Sequence, residues 1–173
     1  MSLFRPERAA RGLGPARFAF AVGLAYAAVS AYWGLGGTWL LNTVGSALPQ
    51  LSRTEAPLAL SVVWAAAGLK VVAAALPLLV VGSERRSPTR ATWRRASLRG
   101  LVWVEAAVLC LYGLALTVAE LLAESGVVVP PPGADRLALA WHAYLWDPWF
   151  LLWGLLVAAT MVRTRPAAGE TPR

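Results

Sequence analysis

Residues 58–82 read LALSVVWAAAGLKVVAAALPLLVVG, an apolar run interrupted once, at Lys70. A bilayer core takes about 20 such residues as a helix, so this stretch is a membrane span with a cation at its middle. Three further runs read the same way. Residues 18–35 carry no charge, 98–122 hold Glu105 and Glu120, and 137–162 hold His142 and Asp147. The whole chain has 173 residues, of which 58% are hydrophobic and 14% charged. An average soluble domain is about 25% charged. A chain this short cannot hide so much apolar surface in water. Soluble globular, disordered and collagenous classes are excluded. The expected fold is all-α, a four-helix transmembrane bundle forming one membrane domain over residues 1–165, with 166–173 as a disordered tail.

The charge balance sets the orientation. Sixteen Lys and Arg against nine Asp and Glu give a net charge of +7. In a soluble protein that excess would suggest nucleic acid; beside apolar spans it speaks for topology and anionic headgroups, with membrane lipids as partners. Thirteen arginines lie before span one, between spans two and three, or after span four, and only Arg53 and Arg136 lie in the other two loops. Both termini are therefore expected in the cytoplasm, in a multi-pass protein of a bacterial inner membrane. Arg17 with the run 18–28 and Val29-Ser30-Ala31 has the look of a cleavable signal sequence, but the apolar stretch continues past Ala31 and reads as a span. The single Cys110 offers neither an internal disulfide nor a cysteine zinc site and is expected to be a small packing residue. No internal repeat is visible.

A charge near a span centre costs about 2.5–3.5 kcal/mol on insertion scales. Lys70 lies twelve residues from each end of its span. The interface is ~15 Å away, more than twice the reach of a lysine stem, so Lys70 needs a partner inside. Ala66, Ala67, Ala73 and Ala74 share its helix face, and small residues mark where helices approach. Val62, Leu69, Val72, Leu76 and Leu79 suit lipid on the opposite face. By a rise of ~1.5 Å per residue, Asp147 lies within ~3 Å of the depth of Lys70, and Glu105 lies ~8 Å nearer the cytoplasm. The expected cluster is Lys70 with Asp147, with Glu105 as a third member. It would serve either as structural glue or as catalytic or transport machinery, for which Asp147, Glu105 and Lys70 are the candidate residues. Glu120 should reach headgroups, and Glu124 and Asp135 are loop charges.

Span four contains Trp141-His142-Ala143-Tyr144-Leu145-Trp146-Asp147-Pro148-Trp149-Phe150. Pro148 has no N–H to donate, and Asp-Pro is also a helix-start signature. The helix is expected to be kinked or broken at Asp147-Pro148. His142, Trp146, Trp149 and Trp153 form one stripe; Trp149 and Trp153 lie too deep for an interfacial belt and should pack against neighbours or a ligand. Span one ends in Tyr32-Trp33-Gly34-Leu35-Gly36-Gly37-Thr38-Trp39, whose glycines allow a tight turn or close backbone contact. Residues 40–51 suit a re-entrant or surface-lying segment. Tyr32, Trp33, His142, Trp146 and Trp149 are the candidate ligand contacts. One histidine cannot build a bis-histidine haem or a His-rich metal site, and no phosphate-binding, serine, cysteine or metal catalytic signature is present. No metal and no cofactor are expected.

Tyr32-Trp33-x-Leu35-Gly36-Gly37-x-Trp39 and Leu145-Trp146-Asp147-Pro148-Trp149-Phe150 resemble segments of small four-span bacterial membrane proteins, the family called domain of unknown function 3995. The similarity spans roughly residues 18–162, and the abundance of Ala, Arg and Trp looks like an actinobacterial version. Ser30-Ala31 stand before Tyr32, where many relatives would carry a histidine, so no role of that histidine carries over. The resemblance implies the four-span topology and no activity.

Three functions fit these residues. The first is a non-enzymatic membrane protein that binds a lipid or apolar small molecule, or serves as a partner subunit. The second is an intramembrane lipid or isoprenoid isomerase using Asp147 or Glu105 as general acid or base. The third is a proton-coupled carrier with a relay of Lys70, Asp147 and His142, which four spans would require to work as a homodimer.

Overall fold

The computed structural model describes residues 4–45, 56–85 and 92–165, and every regular element among them is helical. Helix α1 is Phe4–Gly34, α2 is Ala56–Arg85 and α3 is Thr92–Glu124. The fourth rod is built from α4 (Arg136–Trp141), a π-helical turn (His142–Trp146) and α5 (Asp147–Arg163). Four stretches are long and apolar enough to cross a membrane: Ala9–Gly34, Pro57–Glu84, Trp93–Glu124 and Arg136–Arg163. The chain is a multi-pass membrane protein with a four-helix bundle. The expected tail 166–173, the loop arginines Arg86 and Arg90, and Pro49 lie outside the described residues.

Helix α1 organises the bundle. It packs along both α2 and the fourth rod, α3 packs on the fourth rod, and α2 and α5 barely touch. The start of α1 and the end of α5 meet at one end, the base, where Gly12 lies against Thr164. The contact stripe of α1 is Ala9, Gly12, Ala16, Ala19, Gly23, Tyr26, Ala27 and Ser30, at spacings of three and four. Small side chains let helix backbones approach, which replaces the hydrophobic drive that lipid removes. The stripe begins well before the apolar run of span one: Ala9 and Ala16 are fully buried against Val81, with Leu13 and Leu78 beside them.

The main core lies toward the base and consists of Ala19, Ala74, Val80, Val102, Ala106, Trp153, Val157 and Met161. Its rim is tied by Arg99, which sits 3.4 Å from a Glu84 carboxylate oxygen and donates to Thr164 Oγ1 at 3.3 Å and the Met161 carbonyl at 3.5 Å. On α2 the alanine face points inward as expected, with Ala67 and Ala74 buried, while Leu69 and Val72 are exposed. Leu76 departs from the expected lipid face and packs on the core.

Helix α3 crosses the fourth rod at Gly113 and Gly154. A Cβ on Gly113 would collide with the backbone of Leu151 and come within 2.9 Å of the Asp147 carbonyl; one on Gly154 would lie 2.7 Å from the Cys110 nitrogen. Cys110 is thus a packing residue at a close backbone crossing.

The fourth rod starts at Asp135, which is a cap rather than a free loop charge: its carboxylate accepts from the Ala138 N–H. The rod is not broken at Asp147-Pro148. Trp146 (φ −65°, ψ −47°) and Asp147 (φ −81°, ψ −40°) both keep right-handed helical geometry. Just before Pro148 the helix widens, and the Asp147 N–H donates to the His142 carbonyl five residues back. Such a turn absorbs the missing proline donor without opening backbone to lipid.

Candidate functional site

The π-turn decides which side chains meet. On an α-helix, residues five apart point about 140° away from one another. The wider turn brings them onto one side, so that His142 Nδ1 lies 3.2 Å from Asp147 Oδ2. The Asp147 side chain is 1% exposed and the His142 side chain 29%. Oδ1 of Asp147 is buried and has no hydrogen-bond partner among the described residues. His142 also faces the Val44 backbone, and Glu120 of α3 lies close enough to interact electrostatically with both His142 and Asp147. Glu120 therefore lies within electrostatic reach of the pair.

Aromatic rings enclose the pair. Tyr26 of α1 stacks on Trp146 at 5.7 Å and on Trp149 at 5.2 Å, and meets Phe150 at 4.8 Å. Trp33 approaches Trp146 edge-on at 5.8 Å, and Tyr112 of α3 meets Phe150 at 5.2 Å. The indole N–H groups are satisfied: Trp146 donates to Thr43 Oγ1 at 3.1 Å and Trp149 to the Val22 carbonyl at 3.1 Å. The turn after α1 forms the roof. Gly36 (φ 91°) and Leu40 (φ 60°) both take left-handed backbone, and Trp33 donates to the Trp39 carbonyl at 2.8 Å. A short 3₁₀ turn, Leu41–Thr43, then seats Thr43, 3% exposed, beneath Trp146. That is the observed form of the segment read as re-entrant or surface-lying; residues 46–51 lie outside the described part.

Lys70 has a different environment from the one expected. Its Nζ donates to Ser30 Oγ at 2.7 Å and sits 4.0 Å above the centre of the Tyr26 ring. Among the described residues no carboxylate lies within ion-pair distance of it. The expected Lys70–Asp147–Glu105 cluster does not form. Lys70 and Asp147 both lie at the level of Tyr26, but α1 stands between α2 and α5 and puts the Tyr26 ring between the two charges. One oxygen of Asp147 is instead bonded within its own rod, by His142. Glu105 is eight residues before Gly113, which is level with Asp147, and so lies about 12 Å nearer the base along α3. Both its carboxylate oxygens are buried without a partner among the described residues. That separation is too long for Asp147 and Glu105 to act as acid and base on one small reacting centre.

The structure thus brings Trp33, His142, Trp146, Trp149 and Asp147 together and leaves three candidates apart. Tyr32 is half-exposed and packs on the turn, with its ring against Gly37 and its hydroxyl 3.4 Å from the Trp39 N–H. Lys70 is on the far side of Tyr26, and Glu105 is deeper. Trp153 also leaves the aromatic group: it is in the core against Gly23 and Ala74, with a buried indole nitrogen that has no partner. Tyr26, Ser30, Thr43 and Phe150 were missed by the sequence reading. Only spacing pointed to them, since Tyr26 and Ser30 are four apart on the small-residue stripe of α1. Among the described residues no three His, Cys, Asp or Glu side chains gather closely enough to hold a metal ion. A groove of about 500 Å³ along α3 and the π-turn is lined by Val118, Leu121, Leu122, Glu124, Ser125 and Tyr144.

A four-helix membrane bundle with a buried carboxylate–imidazole pair in an aromatic enclosure is the class that fold and site define. The chain belongs to the family described as protein of unknown function (DUF3995), whose model matches residues 23–157. That range takes in Tyr26, the roof turn, Lys70, Glu105 and the whole His142–Asp147 turn. No curated protein and no solved structure matches the chain.

Proposed function

We propose that this protein holds an amphiphilic molecule, a membrane lipid or a small apolar compound with one polar group, at the top of the bundle, and does not transform it. The observation that carries this reading is Asp147: its side chain is 1% exposed, and one carboxylate oxygen has no partner among the described residues. A buried acceptor left without a donor costs about 1–3 kcal/mol, more when charged, and packing the bundle does not require it. A π-turn inside a helix is frequent at functional sites. The stacked rings provide an apolar wall with polar edges.

The arginine asymmetry supports a base on the cytoplasmic side of a bacterial inner membrane and a site in its outer leaflet. Native mass spectrometry on protein extracted gently from its own membranes tests the reading. A reproducible bound lipid or small molecule, lost in a folded Asp147→Asn variant, is the expected result. A bare monomer under the same extraction overturns it, and a bare dimer moves the assignment to a carrier built from two chains.

A further inference from the structure

We propose that the molecule held at this site presents a hydrogen-bond donor, a hydroxyl or an ammonium at the end of an apolar body, to Oδ1 of Asp147. The inference rests on the binding reading above and narrows it to one headgroup chemistry. A carboxylate accepts on both oxygens and donates on neither. Oδ2 is taken by His142, and Oδ1 is buried and faces no donor among the described residues.

The groups around it set the sign of what can enter. On the same rod His142 is the cationisable group bonded to Asp147, and Arg136 and Arg163 stand at the rod's two ends. From α3 come Glu120 and Tyr112, and from α1 comes Tyr26, all within electrostatic reach of Asp147. Lys70 lies behind the Tyr26 ring, bonded to Ser30. Two carboxylates therefore lie within electrostatic reach of the site, and Asp147 is the one bonded to the imidazole. An anionic head would meet repulsion, and an ester head would bring only acceptors to an acceptor. A hydroxyl or ammonium completes the bond, and an ammonium also gains from the ring faces of Tyr26, Trp146 and Trp149. His142, with 29% of its side chain exposed, marks where such a head can enter.

The experiment uses the full chain in detergent micelles and four probes with one hexadecyl chain: hexadecan-1-ol, hexadecylamine, hexadecanoate and methyl hexadecanoate. Binding is read from tryptophan fluorescence and from the shift in Tm. The alcohol and the amine are expected to bind at least about tenfold more tightly than the acid and the ester, the size of one charge-assisted hydrogen bond. Asp147→Asn should flatten that preference. An amine ahead of the alcohol identifies an ammonium head, and the reverse order a hydroxyl head. Equal binding by the acid or the ester overturns the proposal, as does a preference that survives in Asp147→Asn. If Asp147→Asn fails to fold, the ranking on the native chain decides alone. If none of the four binds while native mass spectrometry still finds a co-purified molecule, the headgroup inference falls and the binding reading stands; if neither finds anything, both fall.

Discussion

At the base of the bundle, Val80, Val102, Val157 and Met161 close an apolar core, Thr160 and Thr164 are buried beside it, and one cation, Arg99, ties its rim to Glu84 and Thr164. At the top, the same four helices enclose a carboxylate, an imidazole, an ammonium and a ring of hydrogen-bonded indoles. Helices in lipid associate through close packing of small residues, and the stripe from Ala9 to Ala27 together with the Gly113–Gly154 crossing supplies that contact. At the base apolar packing carries most of the contact, and the Thr160 and Thr164 hydroxyls are bonded to carbonyls of their own helix. The polar groups at the top add a desolvation cost that apolar packing would avoid. The contrast is testable, because the base should respond to mutation as a packed core does and the top as a network of buried charge.

The largest effect is expected at the top. His142→Leu leaves Asp147 buried with neither oxygen bonded, and removing one member of a buried pair costs about 3–5 kcal/mol. Partial exposure of His142 places the expected loss at the lower end, about 3 kcal/mol. Adding Asp147→Leu should recover part of it, since the stranded charge is gone. Thermal unfolding in micelles, followed by tryptophan fluorescence, reads both. If the double variant melts no higher than the single one, the pair is not what holds the turn.

The base gives a middle-sized effect. Arg99→Met removes the clasp to Glu84, Thr164 and the Met161 carbonyl, but Arg99 and Glu84 keep 15% and 16% of their side chains exposed. Water can partly replace what is lost, so about 1–2 kcal/mol is expected. The same unfolding measurement decides it. A loss as large as that of His142→Leu would erase the distinction between the two ends.

How much of this was legible differs by element. The four spans could be read directly, because each apolar run is long enough to admit no other reading. The level of Lys70 and Asp147 was legible too, since rise per residue fixes depth once the spans are known. Which helix stands beside which was not. Nothing in a run of alanines says that α1 lies between α2 and α5, and that placement alone turned an expected ion pair into two separate sites. The π-turn was equally hidden. Pro148 announced a disturbance, but a kink, a break and a widened turn share that signature, and only the widened turn puts His142 beside Asp147. Ser30 went unnoticed because a hydroxyl within an apolar span is common, and it gains meaning only when Lys70 is seen to face it. The burial of the arginine-bearing start of α1 was readable in principle from Ala9, Gly12, Ala16 and Ala19, a small-residue stripe overshadowed by the charges around it.

The smallest effect sharpens the comparison most. Lys70 looks like the costliest residue in the sequence, a lone cation at mid-span. In the structure it has a hydroxyl and a ring face but no counter-charge. Lys70→Met gives up one hydrogen bond and one cation–π contact, each about 0.5–2 kcal/mol, and gains an apolar side chain of similar length where an ammonium had been desolvated. Replacing a buried charge by a hydrophobic group of like volume is often neutral or stabilising. The net change expected is within about 1 kcal/mol of zero, with Tm nearly unmoved. Combined with Asp147→Leu, the two changes should add within about 0.5 kcal/mol, because the Tyr26 ring separates them and no shared bond is lost. A loss above about 2 kcal/mol in Lys70→Met, or a double variant markedly more stable than the sum of its parts, would mean that the two charges feel each other through the ring. The top of the bundle would then be one network and not two neighbouring sites.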